Sequence, residues 1–391
     1  MSYIQRPLKP EVQDQLINVE PLHQIINEYR DKGDKDRRTP AAVMDALMEA
    51  GVHRIWVSKA FGGAHLSLPS GMALIESIAR QDASVAWQMG VQGALSRLSD
   101  YLPESSARHI FQDHSRLIVG VVAPNGKAER VGGGFLLKGR WSFASGSAHA
   151  DWLACAAVVT EKGQPVMTDA GPLTQMLFVP KKDYRLMDDW YTTGLRGTGS
   201  NSFEVNDVFV PDEFTIPGPD LLAPPPERPS RAFGIGYYDF GPFTSAPTTL
   251  GIAQDALESF REMAVSKVPL GGKTPLRQSH TVHEKIGYAW SLLLSSRLLI
   301  ENAASHAIQD GYSGQRLSAL IRLSASTTAR NAKKIVDIVH TLSGATSVYE
   351  GDRLEKCFRD INTAVKHITL APASIEMVGQ FIMEEELLIR R

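Results

Sequence analysis

A histidine side chain can give or take a proton near neutral pH, and His367 stands seven residues beyond Asp360 of the segment Cys357-Phe358-Arg359-Asp360. An imidazole there suits acid–base work on a phenol, an amine or a peroxide. Alone, a His ahead of an apolar run reads more simply as a core residue bonded to backbone. A second candidate is Ser145, in Gly133-Gly134-Phe135-Leu136-Leu137-Lys138-Gly139-Arg140-Trp141-Ser142-Phe143-Ala144-Ser145-Gly146. That run is a strand leading into a corner of small residues. Such a corner lets a planar ring lie against backbone, with a hydroxyl and amide donors aimed at its edge. From spacing alone, an ordinary tight turn is the simpler account. A third is Gly194-Leu195-Arg196-Gly197-Thr198-Gly199-Ser200-Asn201, which precedes a strand, not a helix, and so is not a dinucleotide fingerprint. It is a hairpin approach or a loop beside a cofactor.

Other chemistries lack their residues. His280 and His283 have helical spacing but no third ligand, and His283-Glu284 lacks the second His of a zinc protease, so no metal is expected. No Gly-x-Ser-x-Gly elbow, phosphate-cradling loop or nucleic-acid module occurs. Lys and Arg number 41 against 43 Asp and Glu, a formal charge of -2 without long runs of one sign. This gives no electrostatic reason to expect nucleic acid or an anionic membrane. The start, Met1-Ser2-Tyr3-Ile4-Gln5-Arg6-Pro7, lacks a signal peptide's apolar core, and the longest apolar run, Ser291 to Ile300, is short and broken by Arg297. Cys155 and Cys357 read as reduced, buried thiols, and the expected compartment is the cytoplasm.

The 391 residues suffice for two or three domains. The first stretch reads as helices. Thr39-Pro40 is an N-cap and first-turn proline before Ala41 to Ala50 with a stop at Gly51. Leu68-Pro69-Ser70 opens a helix carrying Met72, Ile75, Ile78 and Ala79 on one face, and Pro103 to Ser106 begins another through Phe111. From Leu117 the period changes. Leu117 to Ala123, Phe135 to Phe143, Trp152 to Thr160, Gln175 to Val179 and Ser202 to Val210 read as strands. Close-spaced strands without helices between them predict a small antiparallel barrel or sandwich. Six prolines between Ile216 and Arg231 predict a surface crossing. Helices follow at about Thr244 to Val265, Leu276 to Asp310, Gly314 to Leu342 and Pro372 to Leu388, which suggests a bundle.

Several stretches together resemble the acyl-CoA dehydrogenase superfamily. Arg54-Ile55-Trp56-Val57-Ser58-Lys59-Ala60-Phe61-Gly62-Gly63 and Ala83-Ser84-Val85-Ala86-Trp87 look like its N-terminal helical domain. Gly194 to Ser200 with Val208-Phe209-Val210-Pro211 looks like its middle domain, and the tail segment around Arg359-Asp360 like its C-terminal region. Phe143-Ala144-Ser145-Gly146 with His149-Ala150-Asp151-Trp152 is similar to its group D two-component flavin monooxygenases, which include hydroxyphenylacetate and phenolic steroid hydroxylases, dibenzothiophene monooxygenase and nitrososynthases. The resemblance runs from about Gly51 to Pro372.

It implies an α+β multidomain fold: a helical domain over 1–115, a middle antiparallel β-barrel over 116–215, a Pro-rich linker over 216–232 and a C-terminal four-helix bundle over 233–391. It further implies a homotetramer, a small-molecule substrate, and flavin bound near Pro124, Phe143, Ala144, Ser145, Gly146, Arg196, Gly197, Thr198 and Ser200. Ser145 would contact the flavin edge and His367 would face the same space.

Many family dehydrogenases carry a catalytic Glu eight residues past the Asp, where this chain has Ile368. An isoleucine cannot pull a proton from carbon. The stretches Ser266 to Gly272 and Ser343-Gly344-Ala345 replace the family's Arg-Gln-Phe-Gly and paired glycines, which favours reduced FMN, or loosely held FADH2, delivered by a separate NAD(P)H flavin reductase. The expected activity is a monooxygenase using O2 through a C4a-hydroperoxyflavin. It would hydroxylate a small aromatic, amine or sulfur substrate, with Ser145 and His367 as catalytic residues. Two alternatives stand beside it. One is an FAD-dependent dehydrogenase or oxidase with Asp239 as reserve base; the other is a non-catalytic flavin-fold binding protein.

Overall fold

The computed structural model describes residues 17–225, 234–308, 314–383 and 387. Helices α1 (Glu20–Asp36), α2 (Ala41–Glu49), α3 (Leu68–Ala79), α4 (Ala83–Ser96) and α5 (Glu104–Phe111) form the first layer. α3 follows its sequence signals: the Ser67 hydroxyl accepts from the Ser70 N–H, Pro69 fills the first turn, and Met72, Ile75, Ile78 and Ala79 are buried. α2 ends at Gly51 in the left-handed region (φ 72°), as expected. Its start differs. Thr39 does not cap it; the Thr39 hydroxyl donates to Gly197 O at 3.2 Å instead. A buried hydroxyl must find an acceptor, and tertiary contact supplies one in place of its own helix.

The middle of the chain is a sheet in the order β10-β7-β3-β1-β2-β9-β8. The strands are β1 (Ile118–Val131), β2 (Gly134–Trp141), β3 (Trp152–Glu161), the two-residue β4 (Gln164–Pro165), β5 (Met167–Thr168) and β6 (Gly171–Pro172), then β7 (Thr174–Pro180), β8 (Arg185–Leu186), β9 (Phe203–Pro211) and β10 (Thr215–Pro217). The expected antiparallel barrel is corrected on two counts. β1 and β3 pair in parallel, and the sheet is mixed and unclosed. The reason is order along the chain. β2 returns from β1 through Gly133 (φ 79°) and occupies one edge of β1. Residues 142–151 then carry the chain back to the other edge, so β3 runs in β1's own direction. The same pairing slips between Val121 and Gly126, which puts residues 122–125 out of register and leaves 123–125, Pro124 among them, exposed. β10 is an edge strand carrying Pro217, followed by a 3-10 turn over Gly218–Leu222; the rest of the Pro-rich stretch, 226–233, lies outside the described residues.

The last layer is helical: α6 (Tyr237–Ala264), α7 (His280–Ala307), α8 (Gly314–Ser343), α9 (Arg353–Ala364) and α10 (Ala373–Ile382). α6 starts seven residues before the expected Thr244 and carries Pro242 and Pro247 inside. Burial outweighs the two lost backbone bonds. Tyr237, Phe240 and Phe243 are all in the core, and Phe240 meets Trp56 edge-on at 5.2 Å. α9 is a separate helix that periodicity did not single out; Asp352 caps it, accepting from Leu354 N–H and Glu355 N–H. The expected helix ends at Asp310 and Leu388 lie outside the described residues. Among the described residues no helix is long and apolar enough to cross a membrane.

Candidate active site

The corner after β2 is built by backbone geometry. Phe143 sits at φ 70°, a conformation an L-residue adopts only where its surroundings impose it. Ala144 N–H donates to Asn201 O and Gly146 N–H to Thr198 O at 2.8 Å, while the Ser147 hydroxyl donates to Gly199 O at 3.0 Å. These bonds knit residues 143–147 to the 196–201 loop. Ser145, 4% exposed, shares a hydrogen bond with Ser200 at 2.8 Å; Ser200 shares one with Thr198 at 2.6 Å; and Thr198 donates to Leu195 O at 2.8 Å. The Phe143 ring is 70% exposed, with Trp190 edge-on at 5.9 Å.

His367 caps a 3-10 turn over Ile368–Leu370. Its Nδ1 accepts from Thr369 N–H and lies 2.7 Å from the Thr369 hydroxyl, which meets the Ser245 hydroxyl of α6 at 2.7 Å. The Trp87 ring of α4 stands edge-on to the imidazole at 5.3 Å. On the far side of the turn, Ser326 of α8 donates to Ala371 O at 2.9 Å. Burial lowers the His367 pKa to about 4, so the ring is neutral at pH 7. With Nδ1 accepting, the proton resides on Nε2, which makes no hydrogen bond among the described residues. His367 is therefore a neutral N–H donor with a free end. Ile368, beside it, is 52% exposed and cannot act as acid or base.

Ser145 and His367 share no direct contact. What relates them is α4: Gln88 donates to Gly197 O beneath the corner, and Trp87, one residue earlier, backs the imidazole. A second tie runs through α9. Asp360 accepts from Leu195 N–H at 2.6 Å, and Arg359 donates to Thr193 O at 2.9 Å. Gly194 permits the approach, since a Cβ there would lie 2.1 Å from Arg359 O. Arg359 and Asp360 are held in ion pairs: Lys356 pairs with Asp360 at 2.7 Å, and Arg359 with Asp34 at 3.1 Å.

Asp239, the reserve base, is engaged elsewhere. Its carboxylate pairs with Arg322 and accepts from the Ser318 hydroxyl. Among nearby aromatics, Tyr237, Phe240 and Phe243 are core, Trp190 is buried, and Tyr191 is exposed beneath the Arg37 guanidinium at 3.7 Å. Spacing missed Trp87 as a partner of His367, and it missed Ser245 and Thr369. Thr369 carried one local signal, a hydroxyl two residues after the His, in reach of a capping ring nitrogen.

Comparison with known proteins agrees with this architecture. Residues 20–101 match the acyl-CoA dehydrogenase N-terminal domain and residues 243–372 its C-terminal domain, together more than half of the chain. The chain belongs to the acyl-CoA dehydrogenase superfamily. Within it, the chain is 28% identical over 350 residues to an indole-3-acetate monooxygenase of Pseudomonas putida, covering 88% of this chain and 87% of that one. It is 29% identical to the flavin-dependent monooxygenase oxygenase subunit HsaA of Rhodococcus jostii, covering 86% and 89%. Among solved structures, XiaF from Streptomyces sp. in complex with FADH2 and glycerol superimposes with a TM-score of 0.89 at 23% identity, over 95% of each chain. That last likeness concerns the fold.

The residues fit a flavin of this superfamily. An exposed aromatic face at Phe143, buried small residues from Ala144 to Gly146 and a hydroxyl at Ser145 offer a flat apolar wall with a polar edge. Beneath Gly146, the buried Gln88 Oε1 has no hydrogen-bond partner among the described residues.

Proposed function

We propose that this chain is the oxygenase component of a two-component flavin-dependent monooxygenase, hydroxylating a small aromatic substrate with O2 and reduced flavin made by a separate NAD(P)H reductase. One observation carries the reading: the group offered from the helical side is a neutral imidazole with a free Nε2–H, while the family's carboxylate place holds Ile368 and Asp239 is tied to Arg322. The family resemblance to oxygenases named for aromatic substrates supports it, as do solved structures of this fold holding FADH2 or FMN.

Reduced flavin, when bound, supplies the activation of dioxygen. Pro124, Phe143 to Gly146, Arg196 to Thr198 and Ser200 would hold it. Ser145 fixes the ring edge from the sheet side. His367 donates its Nε2–H to an oxygen of the reacting system and stays uncharged while doing so; transfer of a proton to it is opposed by burial. Trp87 and the Thr369–Ser245 pair keep the imidazole in place and limit water around it.

The same reading extends to assembly and compartment. A homotetramer is supported by an apolar stripe on α7, where Tyr288, Leu294 and Leu298 are exposed. A cytoplasmic site is supported by two free, buried thiols, Cys155 and Cys357.

The test mixes the protein with FMNH2 and oxygen and follows a transient near-ultraviolet absorbance, then product. His367→Ala is expected to keep flavin affinity while product formation falls about a hundredfold or more. Unchanged turnover would remove His367 from the mechanism. Anaerobic bleaching of bound FAD by an acyl-CoA would instead establish the dehydrogenase.

A further inference from the structure

We infer that Thr198 and Ser200 are positioning residues that turn Ser145 into a one-way acceptor, so that this corner selects the reduced form of a flavin over the oxidised form. The inference rests on the flavin reading above and adds the device that decides which redox state is taken.

The direction of the hydroxyl chain follows from its far end. A carbonyl cannot donate, so the bond between Thr198 and Leu195 O at 2.8 Å consumes the single Thr198 proton. The bond between Thr198 and Ser200 at 2.6 Å then requires the Ser200 proton. The bond between Ser200 and Ser145 at 2.8 Å, in turn, requires the Ser145 proton. Three protons serve three bonds, all pointing away from the corner.

The end of the chain is fixed in place. Leu195 O also receives Trp190 Nε1–H at 3.2 Å and Thr198 N–H at 3.1 Å, while Leu195 N–H is held by Asp360 at 2.6 Å. Leu195 itself sits at φ 50°, so its peptide cannot swing freely. Ser145, Ser200 and Thr198 are all buried, and water therefore offers no easy substitute donor or acceptor along the chain.

Ser145 is left with lone pairs alone for any ligand at the corner. An oxidised isoalloxazine edge presents ring nitrogens bearing lone pairs, and two-electron reduction converts one of them into an N–H. Facing the Ser145 oxygen, the oxidised edge meets lone pair against lone pair, and the reduced edge makes a hydrogen bond. Neither Thr198 nor Ser200 need touch the ring for this. They act through Ser145, by holding its proton elsewhere.

The experiment measures the dissociation constants of FMNH2 and FMN by anaerobic titration for the intact chain and three variants. Thr198→Val and Ser200→Ala each release a proton toward the corner, and the preference for FMNH2 over FMN is expected to fall about tenfold in each. For a two-electron couple that is a drop of about 30 mV in the potential of the bound flavin. Thr198→Ser keeps the chain and is expected to restore the preference. Two variants with different side chains guard against one failing to fold. If both bind the two redox forms with a common loss and an unchanged ratio, the hydroxyl chain is structural only and the inference is overturned. If the intact chain binds neither form, the flavin reading fails, and this inference with it.

Discussion

Two polar regions meet the same helix, α4, and they are built in opposite ways. At the joint of α1, α4 and α9, charge is concentrated: Lys356 lies among Asp360, Asp82 and Asp34 at 2.7, 3.5 and 3.8 Å, and Arg353 pairs with Asp255. Burial works against the Lys356 ammonium, yet the three carboxylates raise its pKa above the ordinary value. At Ser145, Ser200, Thr198 and His367, by contrast, the side chains are hydroxyls and a neutral imidazole, while the nearby Arg196 is paired with Glu350 and Asp34. Charge ties elements together where geometry must not move. Neutral donors and acceptors sit where a reacting group needs oriented hydrogen bonds.

The comparison breaks most visibly at Asp360. Asp360→Ala leaves Lys356 short of its nearest partner and frees Leu195 N–H, so unfolding free energy should fall by about 4 kcal/mol, measured by urea denaturation. A loss under 1 kcal/mol would show that the joint is dispensable.

Asp239 offers a second charged test. Asp239→Asn should cost about 3 kcal/mol of stability through the Arg322 pair, while turnover per folded molecule stays within about twofold. Collapse of turnover at preserved stability would restore Asp239 as a catalytic base.

On the neutral side, His367→Gln separates donor from base. An amide can still donate, so this variant should retain roughly tenfold more product formation than His367→Ala. Equal losses would mean that the ring must take a proton.

The smallest effects concern pH. A histidine whose folded pKa is depressed binds its proton in the unfolded chain first, so stability is complete above about 6.5 and declines as pH falls toward 4. For buried His53, at about 4, the loss at pH 5 is about 2 kcal/mol. Turnover, corrected for folded protein, should show no break near pH 6.5, because His367 is already neutral there. A limb at that pH would refute the neutral ring.

Much of the fold was legible because local signals and burial agreed. The Ser67-Leu68-Pro69 start of α3, the Gly51 stop, and the strands from Leu117 to Val210 all appeared near their expected positions. Failures came where distant parts of the chain compete for a residue. Thr39 left its helix for Gly197 O, and the prolines of α6 were overruled by three buried aromatics. The parallel pairing of β1 with β3 has no local signature, because either edge of β1 accepts a strand equally well in sequence terms.

What the amino-acid order alone determined was identity at each place: an imidazole at 367, an isoleucine at 368, hydroxyls at 145, 198 and 200, and the helix–sheet–helix succession written by hydrophobic period. What only the tertiary structure decided was state and direction. Burial beside Trp87 makes His367 neutral, Thr369 assigns its proton to Nε2, and Leu195 O sets which way three hydroxyls point. Protonation and hydrogen-bond polarity depend on the dielectric and on neighbours far apart in the chain, and residue spacing carries neither.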